Sequence, residues 1–226
     1  MTNEVHAFFN VPDNYLHRKY GVRIRAELVR QLVGDLQRKE ILDVGCGDGG
    51  VSLQFLANNR IVFCDIAEKM LDLVKEQIPQ ELRLSADFYH GSVDEFQLDK
   101  SFDDIFCIGV LAHVPSVERT ISKLAKLLVP GGRLVLQFSD ANHWLTRWSI
   151  RNASYEYQVN KVVYQDIADC CQKYGLKRSD EVRYHFLVPG MGKLPDRWLY
   201  SFQKMTISPS LLSKLGTDYI WVLHKL

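Results

Sequence analysis

The chain has 226 residues, enough to bury one full hydrophobic core, and we predict that it forms a single domain. Its 28 basic and 27 acidic residues nearly cancel and no basic block stands out, so we do not expect nucleic acid as its main partner. Residues 1–15 lack the pattern of a signal peptide, and no apolar run reaches the roughly 18 residues of a membrane span. The 5 cysteines form no Cys-x-x-Cys pair, which predicts that the protein has no metal site. Together these features predict a cytoplasmic protein.

The N-terminal region, about residues 1–38, is predicted to be a helical flap. Phe8, Phe9 and Tyr15 make its first part apolar, and these aromatic side chains either cover a binding site or simply cap the domain. Further along, an apolar residue recurs at every fourth position, the spacing of one stripe on an amphipathic helix: Leu16, Tyr20, Ile24, Leu28, Leu32 and Leu36. We expect the arginines and lysines between them on the solvated face.

A buried strand followed by a glycine loop comes next. The apolar run at residues 41–44 ends at three alternating glycines, Gly45, Gly47 and Gly49. Glycine lets the backbone turn tightly and approach a ligand closely, since no Cβ intervenes. Residues 51–57 are predicted to form a helix that packs on the sheet. A strand, a glycine loop and a helix in this order are typical of the nucleotide-binding end of a Rossmann-like unit.

These residues leave two classes of ligand open. The segment from Gly45 to Gly50 satisfies Gly-x-Gly-x-x-Gly, and Asp65 lies 20 residues beyond Gly45, as in a dinucleotide-binding fingerprint. Asp43, inside the predicted strand, favours a different ligand. A buried carboxylate is costly unless it is paired, and it would repel a pyrophosphate but attract a sulfonium or an amino group.

Residues 42–49, Leu-Asp-Val-Gly-Cys-Gly-Asp-Gly, resemble the first motif of the class I S-adenosylmethionine-dependent methyltransferases. The resemblance implies an α/β fold, a Rossmann-like three-layer sandwich whose mostly parallel seven-stranded sheet has an antiparallel C-terminal strand. It also implies S-adenosyl-L-methionine as the cofactor. Its amino end would lie at Asp43 and its methionine part beside the glycine loop, which consists of Gly45, Cys46, Gly47 and Gly49.

A second predicted strand, residues 60–65, ends in an acid and is followed by a predicted helix at residues 66–75. A carboxylate at the tip of this strand is placed to accept hydrogen bonds from both ribose hydroxyls. The segment resembles the family's second motif, which implies that Asp65 holds the ribose and Ile66 packs on adenine. Met70 on the helix and Tyr15 in the flap complete this part of the predicted cofactor site. The alternative is that Asp65 only caps the helix.

The adenine end departs from the family pattern. Residues 84–93 are predicted to form the third strand and its loop, where family members often carry an acid that binds the adenine amino group. This chain has Ser92 and Val93 there, with Asp94 one position further, so Ser92 or backbone groups would have to take that role. Residues 102–109 are predicted to form the fourth strand, and Ile108, Gly109 and Val110 at its end are expected to border the cofactor.

His113 follows the fourth strand in a segment that resembles the family's fourth motif. A histidine has an ordinary pKa near 6.5 and can take a proton at neutral pH. His113 is therefore a candidate general base, and a structural role is the alternative. A helix is predicted over residues 117–128, and a Pro-Gly-Gly turn at residues 130–132 leads into the fifth strand, which ends at Phe138.

Two segments beyond the fifth strand are predicted to be substrate-side inserts, at about residues 139–160 and 189–210. The first holds His143, a second candidate base, and side chains that suit the wall of an acceptor pocket: Asp140, Trp144, Trp148, Tyr155 and Tyr157. The alternative is that these aromatic residues pack on the core. A helix at residues 163–174, closed by Gly175, and strands at residues 180–188 and 219–225 complete the chain, which leaves too little sequence for the substrate domain of a dehydrogenase.

The sequence thus predicts a methyltransferase that moves a methyl group to an oxygen or nitrogen of a small-molecule acceptor, such as a sugar, a lipid precursor or a natural product. Methylation of a protein or an RNA is one alternative. The other is a catalytically inert scaffold that binds the cofactor, since binding and turnover are separate properties.

Overall fold

The computed structural model describes residues 2–11, 19–96, 100–152, 159–188, 190–207 and 211–226. The α-helices within these ranges are α1 (Thr2–Phe9), α2 (Lys19–Val33), α3 (Glu68–Gln77), α4 (Val117–Leu127), α5 (Trp144–Asn152), α6 (Tyr164–Lys173) and α7 (Asp196–Met205). The strands are β1 (Glu40–Val44), β2 (Arg60–Asp65), β3 (Ala86–His90), β4 (Phe102–Ile108), β5 (Leu128–Ser139), β6 (Leu176–Tyr184) and β7 (Asp218–Lys225).

The strands form one seven-stranded sheet in the order β3-β2-β1-β4-β5-β7-β6. The strands β1 to β5 pair in parallel, whereas β7 is antiparallel to both of its neighbours, β5 and β6. This arrangement confirms the predicted fold class. Because the strand order reverses between β1 and β4, the carboxyl ends of these two strands border the crevice where ligands bind in open α/β sheets.

Helices cover both faces of the sheet. On one face α4 and α6 contribute Ile121 and Ile167 to a buried apolar cluster, and on the other face α2 contributes Ile24 to a second one. Ile105 and Phe106, adjacent on β4, belong to opposite clusters because successive strand residues point to opposite faces. Burial of each such side chain contributes about 1.5–3 kcal/mol to stability.

The long N-terminal helix is shorter than its apolar stripe predicts. Its buried residues include Tyr20, Ile24 and Leu28, but the helix ends at Val33. Gly34 follows with a φ of 71°, a left-handed conformation that commonly terminates helices. Leu36 is buried after this turn rather than on the helix.

The helix predicted after the glycine loop forms only a 3₁₀-helix, Leu53–Asn58. Asn59 accounts for its early end. The Asn59 Nδ2 group donates to the carbonyl of Phe55 at 2.7 Å and to that of Leu36 at 2.9 Å, so a side chain takes the place of the next helical N–H. The chain then enters β2 directly at Arg60.

The predicted bounds of the sixth strand are wrong by four residues at each end. Strand β6 begins at Leu176, immediately after Gly175, and pairs with β7 as far as Tyr184. His185 then adopts a φ of 64°, and the side chain of Gln203 binds both the N–H and the C=O of Phe186, at 3.1 and 3.0 Å. The apolar residues after His185 therefore belong to a loop held by α7.

Helices α1, α5 and α7 fall in the regions predicted as the flap and the two inserts. The division of the chain into one domain with these additions stays a prediction. Among the residues that the structure describes, no helix combines the length and the apolar content needed to cross a membrane.

Candidate active site

A cavity of about 500 Å³, called here the large cavity, opens at the carboxyl ends of β1, β2 and β4. Its walls include most of the residues that the sequence proposes for the cofactor: Gly45, Gly47, Asp65, Ile66, Met70, Ser92, Val93, Ile108, Gly109 and Val110. His113 also lines it. The fold thus brings together residues from four separate strand ends.

The glycine loop leaves no room for a side chain at Gly45. Its φ is 64°, and a Cβ there would lie 2.5 Å from Cγ2 of Val110. Gly47 has a similar φ of 53° and lines the large cavity. Gly49 does not line the large cavity. It faces Leu53 and Val74 instead, which a Cβ on that residue would approach to 2.8 and 3.2 Å. Gly49 thus serves packing beneath the loop.

The Asp65 carboxylate accepts hydrogen bonds from two backbone segments, the glycine loop and the start of α3. Its Oδ2 accepts the N–H of Gly47 and its Oδ1 accepts the N–H of Ala67, both at 2.9 Å. Burial raises the pKa of this carboxyl, and the backbone hydrogen bonds act in the opposite direction. Each carboxylate oxygen keeps a second acceptor site, so the bond to the start of α3 and a bond to a ribose hydroxyl are compatible.

Asp43 lies beneath the glycine loop and outside the lining of the large cavity. It is 2% exposed and accepts a hydrogen bond from the Ser52 hydroxyl. Burial raises its pKa to about 7, and the charges of Asp65 and Asp48 act in the same direction. A second cavity of about 10 Å³, called here the small cavity, is lined by Asp43 and Cys46 and has room for about one water molecule.

Arg25 is a residue of this site that the sequence interpretation placed on the solvated face. It lines the small cavity together with Asp43, and its Nη1 lies 2.8 Å from the point where a Cβ on Gly109 would stand. Its Nε donates to the carbonyl of Gly21 at 3.2 Å. Arg25 lies about 100° around the helix from the buried stripe residue Ile24, so its position in the sequence gave no signal that it belongs to the site.

Helix α1 covers one side of the large cavity and contributes Val5, His6 and Phe9 to its lining. Phe9 packs edge-on against the ring of His113, with ring centroids 5.2 Å apart. Burial lowers the pKa of His113 to about 4, so this ring is neutral at pH 7. The sequence interpretation named Phe9 but missed Val5, although residues four positions apart share one face of a helix.

His90 and Glu95 are further lining residues that the sequence interpretation did not propose. His90 Nε2 donates to the carbonyl of Ile66 at 3.0 Å, and its ring lies 6.2 Å from that of His6 on α1. Both residues lie within three positions of Ser92, where the sequence departs from the family pattern.

The candidate substrate residues of the first insert that the structure describes do not line the large cavity. Asp140 Oδ1 accepts the N–H groups of Asn142 and Tyr164 at 3.1 and 3.3 Å, which stabilises the turn before α5. His143 Nδ1 accepts the N–H of Leu145 at 3.3 Å. Trp144 and Trp148 are 59% and 47% exposed on α5. Three further candidates lie outside the described residues: Tyr15, Tyr155 and Tyr157.

The cysteines near the site are protonated at neutral pH, because burial raises the pKa of Cys46, Cys64 and Cys107. Within the described ranges, no group of three or more His, Cys, Asp or Glu side chains is arranged to hold a metal ion.

A family model for a methyltransferase domain matches residues 42–134. The chain is 30% identical over 138 residues to the ubiquinone biosynthesis O-methyltransferase of Coxiella burnetii strain RSA 493, a match that covers 60% of this chain and 58% of that protein. The enzyme of the same name from Pasteurella multocida is 26% identical over 186 residues, which cover 72% of this chain and 76% of that protein. The chain thus spans less than two thirds of the length of the first of these relatives.

Solved methyltransferase structures share the fold over nearly the whole chain. A Thermotoga maritima protein, named as an S-adenosylmethionine-dependent methyltransferase and possible histamine N-methyltransferase, superimposes with a TM-score of 0.72 at 18% identity and covers 98% of this chain and 100% of that one. The magnesium protoporphyrin IX methyltransferase of Synechocystis PCC 6803, crystallised with S-adenosylhomocysteine, gives a TM-score of 0.70 at 18% identity and covers 100% and 99% of the two chains.

Proposed function

We propose that the chain is a class I S-adenosylmethionine-dependent methyltransferase, and that it moves a methyl group from S-adenosyl-L-methionine to an oxygen or nitrogen of a small-molecule acceptor. The methyltransferase-domain model that matches residues 42–134 supports this proposal. The observation that carries this proposal is the large cavity, whose walls include Gly45 and Gly47 of the glycine loop, Asp65 and His113. When bound, the cofactor supplies a methyl group that its positive sulfur already activates.

The residues present fit this cofactor. The side-chain-free backbone at Gly45 and Gly47 lets a ligand approach the loop closely. Asp65 has acceptor sites for ribose hydroxyls, while Ile66 and Met70 offer apolar surface to the base. We assign the charged amino-acid end to Asp43 and Arg25, since a carboxylate and a guanidinium together complement an ammonium and a carboxylate.

We assign the general base to His113. Its ring is neutral at pH 7 and lines the large cavity, so it can take the proton of an acceptor hydroxyl there. Phe9 and the rest of α1 exclude water from the same side. The names of the O-methyltransferase relatives support a hydroxyl rather than an amine as the acceptor.

Two measurements test the proposed function. Titration calorimetry should detect binding of S-adenosylhomocysteine and no competition by NAD⁺. Incubation with methyl-labelled cofactor and catechol, histamine, bulk RNA or bulk protein should place the label on the small molecules, catechol first. Label on RNA or protein would favour a macromolecular acceptor. Binding without any transfer would favour an inert scaffold, and absence of binding would overturn the proposal.

Replacing Asp43 by Asn should stabilise the free protein at neutral pH. The folded-state pKa of Asp43 is raised from 3.8 to about 7, so its ionisation weakens the folded state as pH rises between these values. At about 1.4 kcal/mol per pKa unit, the unfolding free energy of D43N should exceed that of the wild type by up to about 4 kcal/mol above pH 7 and match it near pH 4. Urea unfolding across this range measures the difference.

The control for Asp43 is Asp35→Asn, at a side chain that is 79% exposed. It should follow the wild-type curve at every pH. Parallel curves for D43N and the wild type would contradict the assignment of a raised pKa to Asp43.

Replacing Phe9 by Ala should raise the pKa of His113 from about 4 toward its ordinary value of 6.5, because burial is what lowers it and Phe9 covers the ring. An NMR titration of the histidine Hε1 signals measures this change. Val11→Ala, at a 47% exposed residue just beyond the same helix, should leave the titration of His113 unchanged. An unchanged pKa in F9A would mean that α1 does not shield this ring.

A further inference from the structure

Helix α7 has an exposed apolar face that the proposed function leaves unused. Trp198 and Met205 stand seven residues apart, which is two helical turns, so they share one face of the helix. Their side chains are 61% and 66% exposed. Leu194 before the helix and Leu211 after it are 46% and 81% exposed. The segment from residue 190 to residue 215, called here the α7 segment, therefore presents several large apolar side chains to solvent.

Another face of α7 is held on the body of the protein. Leu199 and Gln203 on this face are 1% and 0% exposed. The Tyr200 hydroxyl donates a hydrogen bond to Glu27 on α2, and the Lys204 ammonium pairs with the same carboxylate at 3.2 Å. These contacts fix the rotation of the helix about its axis. The exposed apolar face cannot turn inward without breaking them.

Basic side chains accompany the exposed apolar face. The α7 segment contains four basic residues and one acidic residue, whereas the whole chain has a net charge of only +1. The acidic residue, Asp196, is engaged by the protein itself, since its Oδ2 accepts the N–H of Tyr20 at 3.4 Å. Arg197 and Lys204 are seven residues apart and form a basic row beside the apolar row. All four basic residues are exposed: Lys193, Arg197, Lys204 and Lys214.

This combination favours a lipid surface over a protein partner. The cores of protein interfaces are depleted in lysine, and a symmetric contact between the α7 segments of two copies would bring like charges together. Tryptophan among lysines and arginines is instead typical of helices that lie in the membrane interface. There the apolar side chains enter the headgroup region and the cations are attracted to anionic lipids.

We propose that the α7 segment docks on an anionic lipid surface through the face that carries Trp198 and Met205. The helix lies parallel to the membrane plane, with these two side chains among the headgroups and Arg197 beside their phosphates. The attachment is peripheral, so it requires no helix that crosses the bilayer. It goes beyond the proposed function and is independent of it, because no residue of the α7 segment lines the large cavity.

Flotation of the full chain with lipid vesicles tests this proposal. The wild type should bind vesicles of phosphatidylcholine mixed with phosphatidylglycerol, roughly tenfold or more tightly than vesicles of phosphatidylcholine alone. Added salt should weaken the binding, because it screens the charges. The double variant W198S/M205S should bind the mixed vesicles at least roughly tenfold more weakly, since both apolar anchors are lost. Arg197→Glu should also weaken binding roughly tenfold, because it reverses a charge at the lipid surface.

Leu84→Ser and Lys126→Glu are the matched controls. Leu84 is 90% exposed in the 3₁₀-helix before β3, so L84S removes an apolar side chain at least as exposed as Trp198. Lys126 is exposed on α4, which packs on the other face of the sheet from α7. Both variants should float as the wild type does. Unchanged far-ultraviolet circular dichroism checks that each variant is folded.

A wild type that does not bind the mixed vesicles would overturn the proposal, and so would a double variant that binds them as the wild type does. Retention on poly-glutamate beads without vesicle binding would indicate an acidic protein partner instead. A dimer in sedimentation velocity that the double variant loses, again without vesicle binding, would indicate a second copy of the chain. Either result would replace the lipid surface as the occupant of this face.

Discussion

His113→Ala is expected to lower kcat by about 10²- to 10⁴-fold, the range that loss of a general base typically costs. The affinity for S-adenosylhomocysteine should change little, because the proposed cofactor contacts lie on other residues. Because burial lowers the pKa of His113 to about 4, the wild-type kcat, measured at saturating cofactor, should fall only as pH drops toward 4. This acidic limb should be missing in H113A.

His143→Ala is the matched control, since it removes the same ring from the other histidine that the sequence proposes. His143 does not line the large cavity, and its Nδ1 accepts the Leu145 N–H. H143A should therefore turn over at a near-normal rate. If folded H113A has a near-normal kcat, His113 has a structural role. If H143A loses most of its kcat, His143 in the first insert is the general base instead.

Asp65→Ala is expected to weaken binding of S-adenosylhomocysteine by about 1.5–3 kcal/mol, roughly 10- to 150-fold, through the loss of hydrogen bonds to a charged acceptor. The structure adds a second cost. The N–H groups of Gly47 and Ala67 lose their acceptor, so the glycine loop and the start of α3 are released together. Titration calorimetry measures the affinity, and thermal unfolding without ligand measures the cost to the fold.

Asp103→Ala separates these two effects. Asp103 Oδ2 also accepts a backbone N–H, that of Glu40 at 2.9 Å, but at the amino-terminal ends of β1 and β4, whereas the large cavity opens at their carboxyl ends. D103A should lose stability without a change in affinity for S-adenosylhomocysteine. Wild-type affinity in D65A would refute the ribose role, whereas equal losses of affinity in D65A and D103A would attribute the effect to general destabilisation.

The sequence predicts best those parts of the site whose residues lie close together in the chain. The strand, glycine loop and acid lie within residues 41–65, and Gly45, Gly47 and Asp65 line a common cavity. The mostly parallel seven-stranded sheet with its antiparallel C-terminal strand was predicted from a resemblance that covers most of the chain, and it is confirmed. A local sequence motif is informative here because the glycines that form the turn after β1 also line the large cavity.

Contributions from distant elements are what the sequence could not predict. Arg25 looks like any other charged residue on an amphipathic helix until Gly109, on a loop far along the chain, leaves space for its guanidinium. Glu95 lines the large cavity from the turn after β3, where its carboxylate accepts the N–H of Ser92. The opposite case is given by Trp144 and His143, whose composition suits a pocket but which do not line the large cavity.

The position of β7 has a consequence for how the protein is made. Among the described residues, β6 pairs only with β7, and β7 lies between β6 and β5. On the ribosome, β6 is therefore synthesised without a strand to pair with, and the edge of β5 stays open until residues 218–225 emerge. A nascent chain that stalls before this point carries two unsatisfied strand edges, which are surfaces that chaperones must shield from other chains.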